Sequence, residues 1–247
     1  MQKKIIIDGI SISYSSTGKG QPLLMLHGIG FGLHQFIYQN LELSNDHQVI
    51  LFQVPLAPFN YSLNWLAQLL ADFLDYLDIP KVIVLGSSFG GFLAQEFALN
   101  FPERVQKLFI VNSAPAGFCI PFKIRGMRFF LPFLPSKIFK WLYFQIQTGP
   151  MRSLLSTYLE AKFSLPTKQM LLQRLKAANT FNVIFQLSQL GTPTVIFYGT
   201  RDTIISPIFS KKLHKYISGS KLVSLDSGHV PSLEIPEIFN QKLRELL

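Results

Sequence analysis

Val82-Ile83-Val84-Leu85-Gly86-Ser87-Ser88-Phe89-Gly90-Gly91-Phe92-Leu93-Ala94 is the stretch on which the reading of this chain turns. Residues 82–85 form a short, β-branched apolar run of the kind that fills a buried strand. Residues 92–100 carry Ala94, Ala98 and Leu99 at helical spacing. Between them lies a Gly-x-Ser-x-Gly pattern centred on Ser88. In a chain with 16 glycines the bare pattern is weak evidence, and the strand before it and helix after it are what make it specific. So sharp a reversal forces strained dihedrals on the serine and leaves no room for side chains two positions to either side. Gly86 and Gly90 meet that need, so Ser88 reads as a nucleophile presented on a turn.

A serine hydroxyl is a poor nucleophile near neutral pH and requires a base that a third group orients. Two later loops supply them. The apolar run 194–198 is followed by Gly199-Thr200-Arg201-Asp202, and the run 221–225 by Asp226-Ser227-Gly228-His229. Asp202 and His229 therefore both stand at carboxyl ends of strands, the edge along which open α/β sheets build their sites. The order Ser, Asp, His is also the one this arrangement takes. Asp226 lies too close in sequence to His229 to orient its far ring nitrogen, and Asp8 belongs to a turn. The loop after residues 108–111 offers Asn112 and Ser113 but no carboxylate.

Acyl transfer also needs donors for the oxyanion that develops. The run 22–26 ends in His27-Gly28-Ile29-Gly30, where Gly28 and Gly30 allow the backbone to turn toward the nucleophile. The amide of Ile29 is the expected first donor and the amide of Phe89, at a helix N-terminus, the second. His27 reads as a structural holder of that loop, with a direct role as the other reading. His34, His47 and His214 have no spaced Cys, Asp or Glu companions, so no metal site and no cofactor are expected.

Short strands alternate with helical patterns along most of the chain, which argues a mostly parallel sheet flanked by helices. Strands are expected over 3–7 and 10–15, joined by the hairpin pair Asp8-Gly9, and over 22–26, 49–52, 82–85, 108–111, 194–198 and 221–225. Helices are expected over 63–77, 89–100, 207–217 and 236–247. From 117 to 190 no strand pattern occurs, only helical ones broken by prolines. So long a stretch between two strands reads as an inserted helical cap, 117–190, on a discontinuous core of 1–116 and 191–247.

Together these residues resemble the α/β-hydrolase superfamily over nearly the whole chain. The loop 27–30 matches its oxyanion loop, Ser88 its nucleophile elbow, Asp202 its acid and His229 its base. The resemblance implies an α/β-hydrolase fold and a two-step serine mechanism through an acyl-enzyme. It does not define the substrate. After residues 49–52 the family usually shows Asp-x-x-Gly-x-Gly-x-Ser, whereas this chain reads Gln53-Val54-Pro55-Leu56-Ala57-Pro58-Phe59-Asn60-Tyr61-Ser62. Gln-x-Pro there, with Gly90-Gly91-Phe92-Leu93-Ala94-Gln95 after the nucleophile, is similar to the maspardin-like branch, some of whose members are thought to bind proteins rather than catalyse. Two function classes follow. One is a carboxylesterase-like or lipase-like hydrolase of hydrophobic esters; the other is a protein- or membrane-binding scaffold on the same fold. Retention of Ser88, Asp202 and His229 favours the enzyme, and Ser in place of Asp at position 88 disfavours epoxide and haloalkane chemistry.

Composition narrows the setting. The 247 residues are 48% hydrophobic and 15% charged, with 23 Phe and one Cys, Cys119. Disorder, a disulfide framework and a multi-thiolate zinc site are thereby excluded. The lone Cys suits a reducing, cytoplasmic setting. The apolar run 5–7 is too short for a signal-peptide core, and no charge-free window is an unbroken apolar helix. The net charge of +9 sits in residues 117–176, which hold ten Lys and Arg and a single acid, Glu160. Nine aromatics between 117 and 150 accompany it. This carries two readings: a lid that takes acyl chains and rests on an anionic membrane face, or a cap packed on the core with a solvated basic rim. No nucleic-acid-binding module is evident.

Overall fold

The structure, a computed structural model, describes residues 2–56, 61–120, 125–126, 129–135 and 167–247. Eight strands form one sheet: β1 (Gln2–Ile7), β2 (Ile10–Thr17), β3 (Gln21–Leu26), β4 (His47–Phe52), β5 (Val82–Ser87), β6 (Val105–Val111), β7 (Thr194–Gly199) and β8 (Lys221–Leu225). Their spatial order is β1-β2-β4-β3-β5-β6-β7-β8. The hairpin β1–β2 and the pair β2–β4 are antiparallel, and every later pairing is parallel. Asp8 and Gly9 both take positive φ, 48° and 77°, the backbone a two-residue hairpin turn of this hand requires.

The unbroken apolar runs have a simple cause. Side chains alternate between sheet faces, and here both faces are covered. Leu24, Leu26, Val84, Ile110 and Ile196 enter one core, with residues of α2 (Leu63–Tyr76) and α3 (Phe89–Asn100). Leu23, Met25, Leu85, Phe109 and Phe197 enter the other, with Leu43 of α1 (Ile37–Leu43) and Phe239 and Leu243 at the C-terminus. Ser62 caps α2 by accepting from the Trp65 amide at 3.1 Å. The remaining helices are α4 (Lys168–Thr180), α5 (Pro207–Tyr216), the single turn α6 (Pro231–Glu234) and α7 (Pro236–Arg244). All eight strands and four helices expected from sequence are present, each within a few residues of its expected limits, whereas α1 was not anticipated.

Of the expected cap 117–190, residues 121–124, 127–128 and 136–166 lie outside the described residues. The two ends of that segment meet. The Gly117 amide donates to Phe181 O at 2.7 Å, the Val183 amide to Pro115 O at 3.0 Å, and Ala116 bridges Asn182. A side chain at Gly117 would stand 1.8 Å from Ala178 O, so only glycine lets the two ends approach this closely. α4 is anchored to the main core by Ala177, Ala178 and Phe181, whose ring lies 4.8 Å from that of Phe92. Among the described residues no helix is long and apolar enough to cross a membrane.

Candidate active site

β5 delivers the chain to Ser88, which has φ 54° and ψ −114° before α3 begins at Phe89. A non-glycine residue in such a conformation costs on the order of 1–3 kcal/mol and needs its surroundings to impose it. The Ser88 amide donates to Val111 O at 2.9 Å, and Ser88 O accepts from the amides of Gly91 and Phe92 at 2.9 and 3.2 Å. The Ser113 hydroxyl also donates to Ser88 O, at 2.9 Å. A Cβ on Gly86 would lie 2.2 Å from Gly90 O. A Cβ on Gly90 would lie 2.0 Å from Leu26 O. Gly86 therefore does face the start of the helix, while Gly90 is required by the neighbouring strand β3, a partner the local sequence does not indicate.

His229 Nε2 lies 2.9 Å from Ser88 Oγ, and His229 Nδ1 lies 2.7 Å from Asp202 Oδ2. The Asp202 side chain is fully buried. Its other oxygen accepts from the amides of Ile204 and Ile205, at 2.8 and 3.0 Å, so both oxygens are held in one orientation. These contacts place a proton on Nδ1 and leave Nε2 to accept from the serine hydroxyl. The histidine loop is clamped from two sides. Glu234 accepts from the amides flanking His229, Gly228 at 2.6 Å and Val230 at 2.8 Å. Asn112 donates to Gly228 O at 3.0 Å and His229 O at 2.8 Å, and accepts from the Gly199 amide at 2.7 Å. Asn112 thus ties the loops after β6, β7 and β8 together.

The loop 27–31 abuts Ser88: a Cβ on Gly28 would sit 3.5 Å from Ser88 Cβ. That is ordinary contact, so the space at Gly28 tolerates more than the sequence suggested. His27 Nδ1 donates to Gly28 O at 2.8 Å, and His27 Nε2 accepts from the Val54 amide at 3.1 Å and from Gln53 Nε2 at 3.2 Å. The ring is buried, and burial together with the nearby Arg174 cation pushes its pKa well below the usual histidine range. His27 is accordingly a neutral brace between two loops, with each ring nitrogen occupied. Gln35 braces the same loop. Its Oε1 accepts from the Gly28 amide at 2.6 Å and its Nε2 donates to Ser87 Oγ at 2.9 Å. The amides of Ile29 and Phe89 have no hydrogen-bond partner among the described residues.

Sequence reasoning did not single out Gln35, Arg174 or Glu234, and it passed over Asn112 for lacking a carboxylate. Asp226 instead pairs with Arg201 at 3.2 Å on the surface, and Asp8 lies in the hairpin turn. His47 contacts Asp46 at 3.1 Å and His214 Nδ1 lies 2.9 Å from Ser220 Oγ. Burial lowers the His34 pKa to about 4. Among the described residues no cluster of three or more His, Cys, Asp or Glu could hold a metal ion.

The comparison with known proteins agrees with this fold. The model of the alpha/beta hydrolase fold family matches residues 21–236. The chain is 31% identical over 225 residues to the poly(3-hydroxyalkanoate) depolymerase of Ectopseudomonas oleovorans, covering 85% of this chain and 78% of that one. It is 27% identical over 246 residues to the pimeloyl-[acyl-carrier protein] methyl ester esterase of Nitrosomonas europaea, covering 93% and 96%. Among solved structures, the esterase of Exiguobacterium antarcticum superposes with a TM-score of 0.85 at 24% identity, covering 100% of this chain and 99% of that one.

Proposed function

The chain belongs to the alpha/beta hydrolase fold family, and on that premise we propose that it is a serine hydrolase of hydrophobic carboxylic esters acting through an acyl-enzyme on Ser88. The observation that carries this reading is the continuous relay Ser88–His229–Asp202, with contacts of 2.9 and 2.7 Å. A relative named as a methyl ester esterase supports the bond type.

In the first step His229 Nε2 takes the hydroxyl proton of Ser88 as Oγ attacks the ester carbonyl. The charge on the carbonyl oxygen rests on the amides of Ile29 and Phe89, and Asp202 stabilises the imidazolium. His229 then returns the proton to the leaving alcohol, and the acyl group stays on Oγ. Water enters, gives a proton to His229 and attacks the acyl carbon, which frees the acid and restores the serine. Asp202 keeps the ring in the tautomer that this cycle needs.

The segment 117–190 is proposed as the cap that selects the acyl chain and meets an anionic membrane face. Phe129, Phe130 and Phe133, on described residues of that segment, are all more than half exposed. Medium and long p-nitrophenyl esters should therefore react faster than the acetate; equal or faster acetate rates would count against the cap's role. Binding to anionic vesicles should weaken as salt is raised.

The decisive experiment is covalent labelling. A fluorophosphonate probe should mark the wild-type protein, and Ser88→Ala should lose both the label and about 10⁴-fold or more of esterase turnover. A wild-type protein that forms no adduct and turns over no ester would favour the binding-scaffold reading in its place.

A further inference from the structure

Arg174 lies on α4, in the segment read from sequence as part of a basic cap surface, yet it is only 1% exposed. It points inward. One terminal nitrogen donates to Ile29 O at 2.8 Å and Phe31 O at 3.3 Å, and the other to Val54 O at 2.7 Å. Burying a guanidinium costs several kcal/mol unless its donors are matched, and a planar fork suits converging carbonyls better than any other side chain. Three main-chain carbonyls from two loops converge on it here.

The loop it holds is the one expected to cradle the oxyanion. In a trans peptide the carbonyl and amide of one unit point in opposite directions. The carbonyl of Gly28, joined to the Ile29 amide, is bound by His27 Nδ1 at 2.8 Å and the Phe31 amide at 3.0 Å. The next carbonyl, that of Ile29, is bound by Arg174. Loop carbonyls left free near Ser88 would repel a developing negative charge, whereas bound ones leave the amide to face it. A positive charge buried behind the loop adds to the same effect.

We propose that Arg174 is a positioning residue for the reaction: from α4 it fixes the carbonyls of Ile29 and Phe31 so that the Ile29 amide is aimed at the oxyanion, which couples the placement of this helix to turnover. The inference rests on the serine-hydrolase reading above. Arg174 acts through the loop carbonyls it holds, so its effect is on the transition state and not on ground-state binding.

The test compares wild type, Arg174→Gln and Arg174→Lys, with turnover expressed per active site titrated by a fluorophosphonate. Arg174→Gln should lower kcat by about 30-fold with KM within about twofold, and should weaken a trifluoromethyl ketone inhibitor in proportion to kcat/KM. Arg174→Lys keeps the charge without the fork and should fall between the two. Should Arg174→Gln fail to fold, the same split of kcat from KM in Arg174→Lys carries the test. Variants that lose thermal stability or titratable sites while kcat per site stays at the wild-type value would overturn the inference. A wild-type protein that forms no adduct would instead strike at the hydrolase reading itself, so the two failures are distinguishable.

Discussion

The two walls of the site are held in different ways. On the wall that carries Ser88, the serine is set by its own stretch of chain and the strands beside it: a positive φ, two glycines within two residues, and backbone bonds to β6 and the first turn of α3. On the facing wall, the loop 27–31 is held by side chains, one of them from far along the chain. His27 and Gln35 hold it from nearby, while Arg174 reaches Ile29 across 145 positions. A wall built from backbone tolerates almost no added atom. A wall built from side chains keeps its fold when one brace is removed but loses aim.

The comparison can be broken or sharpened by experiment. The largest effect is expected at the relay that serves both walls. Asp202→Asn should leave the fold intact and lower kcat by about 10⁴-fold, because the histidine loses the partner that sets its tautomer; a loss of under tenfold would detach Asp202 from the chemistry. Next comes the backbone wall. In Gly90→Ala the new methyl would lie 2.0 Å from Leu26 O. A loss of about 3 kcal/mol in urea unfolding is expected, and an unchanged midpoint would refute the close approach. The side-chain wall should answer differently. Gln35→Leu leaves the Gly28 amide and the Ser87 hydroxyl short of a partner, which costs about 1–3 kcal/mol of stability. Turnover per active site should fall by about tenfold while label uptake at Ser88 still goes to completion.

The smallest effect is a pH dependence of stability. His27 is held well below the usual histidine range, first by burial and then by the Arg174 cation, and burial holds His34 at about 4. In the unfolded chain both take up a proton near pH 6.5. The unfolded state therefore binds more protons as pH falls, and stability is full above about pH 6.5 and declines below it, down through about pH 4. The melting temperature should drop between about pH 7 and pH 5, less steeply in His34→Gln; a flat profile would contradict both shifts.

Legibility in the sequence followed how local each cause is. The Asp8-Gly9 turn, the doubly buried strands and the Gly-Ser-Gly reversal each leave a local pattern and were readable, although what requires Gly90 is Leu26 O on β3. Helix α1 was not, because no side chain caps its N-terminus and its buried positions include the polar Gln39. The Gln39 side-chain amide finds its acceptors only in the fold, donating to Asn240 Oδ1 at 2.7 Å and Ser232 O at 3.2 Å. Gln53 was seen as a departure from the family pattern, but its contact with His27 needs β3 and β4 side by side. Arg174 was counted with the basic charge of residues 117–176, and its burial against three carbonyls takes one of those charges off the surface.

By itself the sequence determined the alternation of strands and helices, the sheet's two buried faces, and the chain positions of Ser88, Asp202 and His229. Those follow from side-chain periodicity and from strand ends that fall on one edge. Only the tertiary structure decided how that edge is aimed. Glu234 and Asn112 fix the His229 loop, Gln35 and His27 fix the loop 27–31, and Arg174 reaches it from α4. The reason is physical: hydrogen bonds to main-chain groups do not depend on the identity of the residue they hold, so they leave no pattern in the sequence.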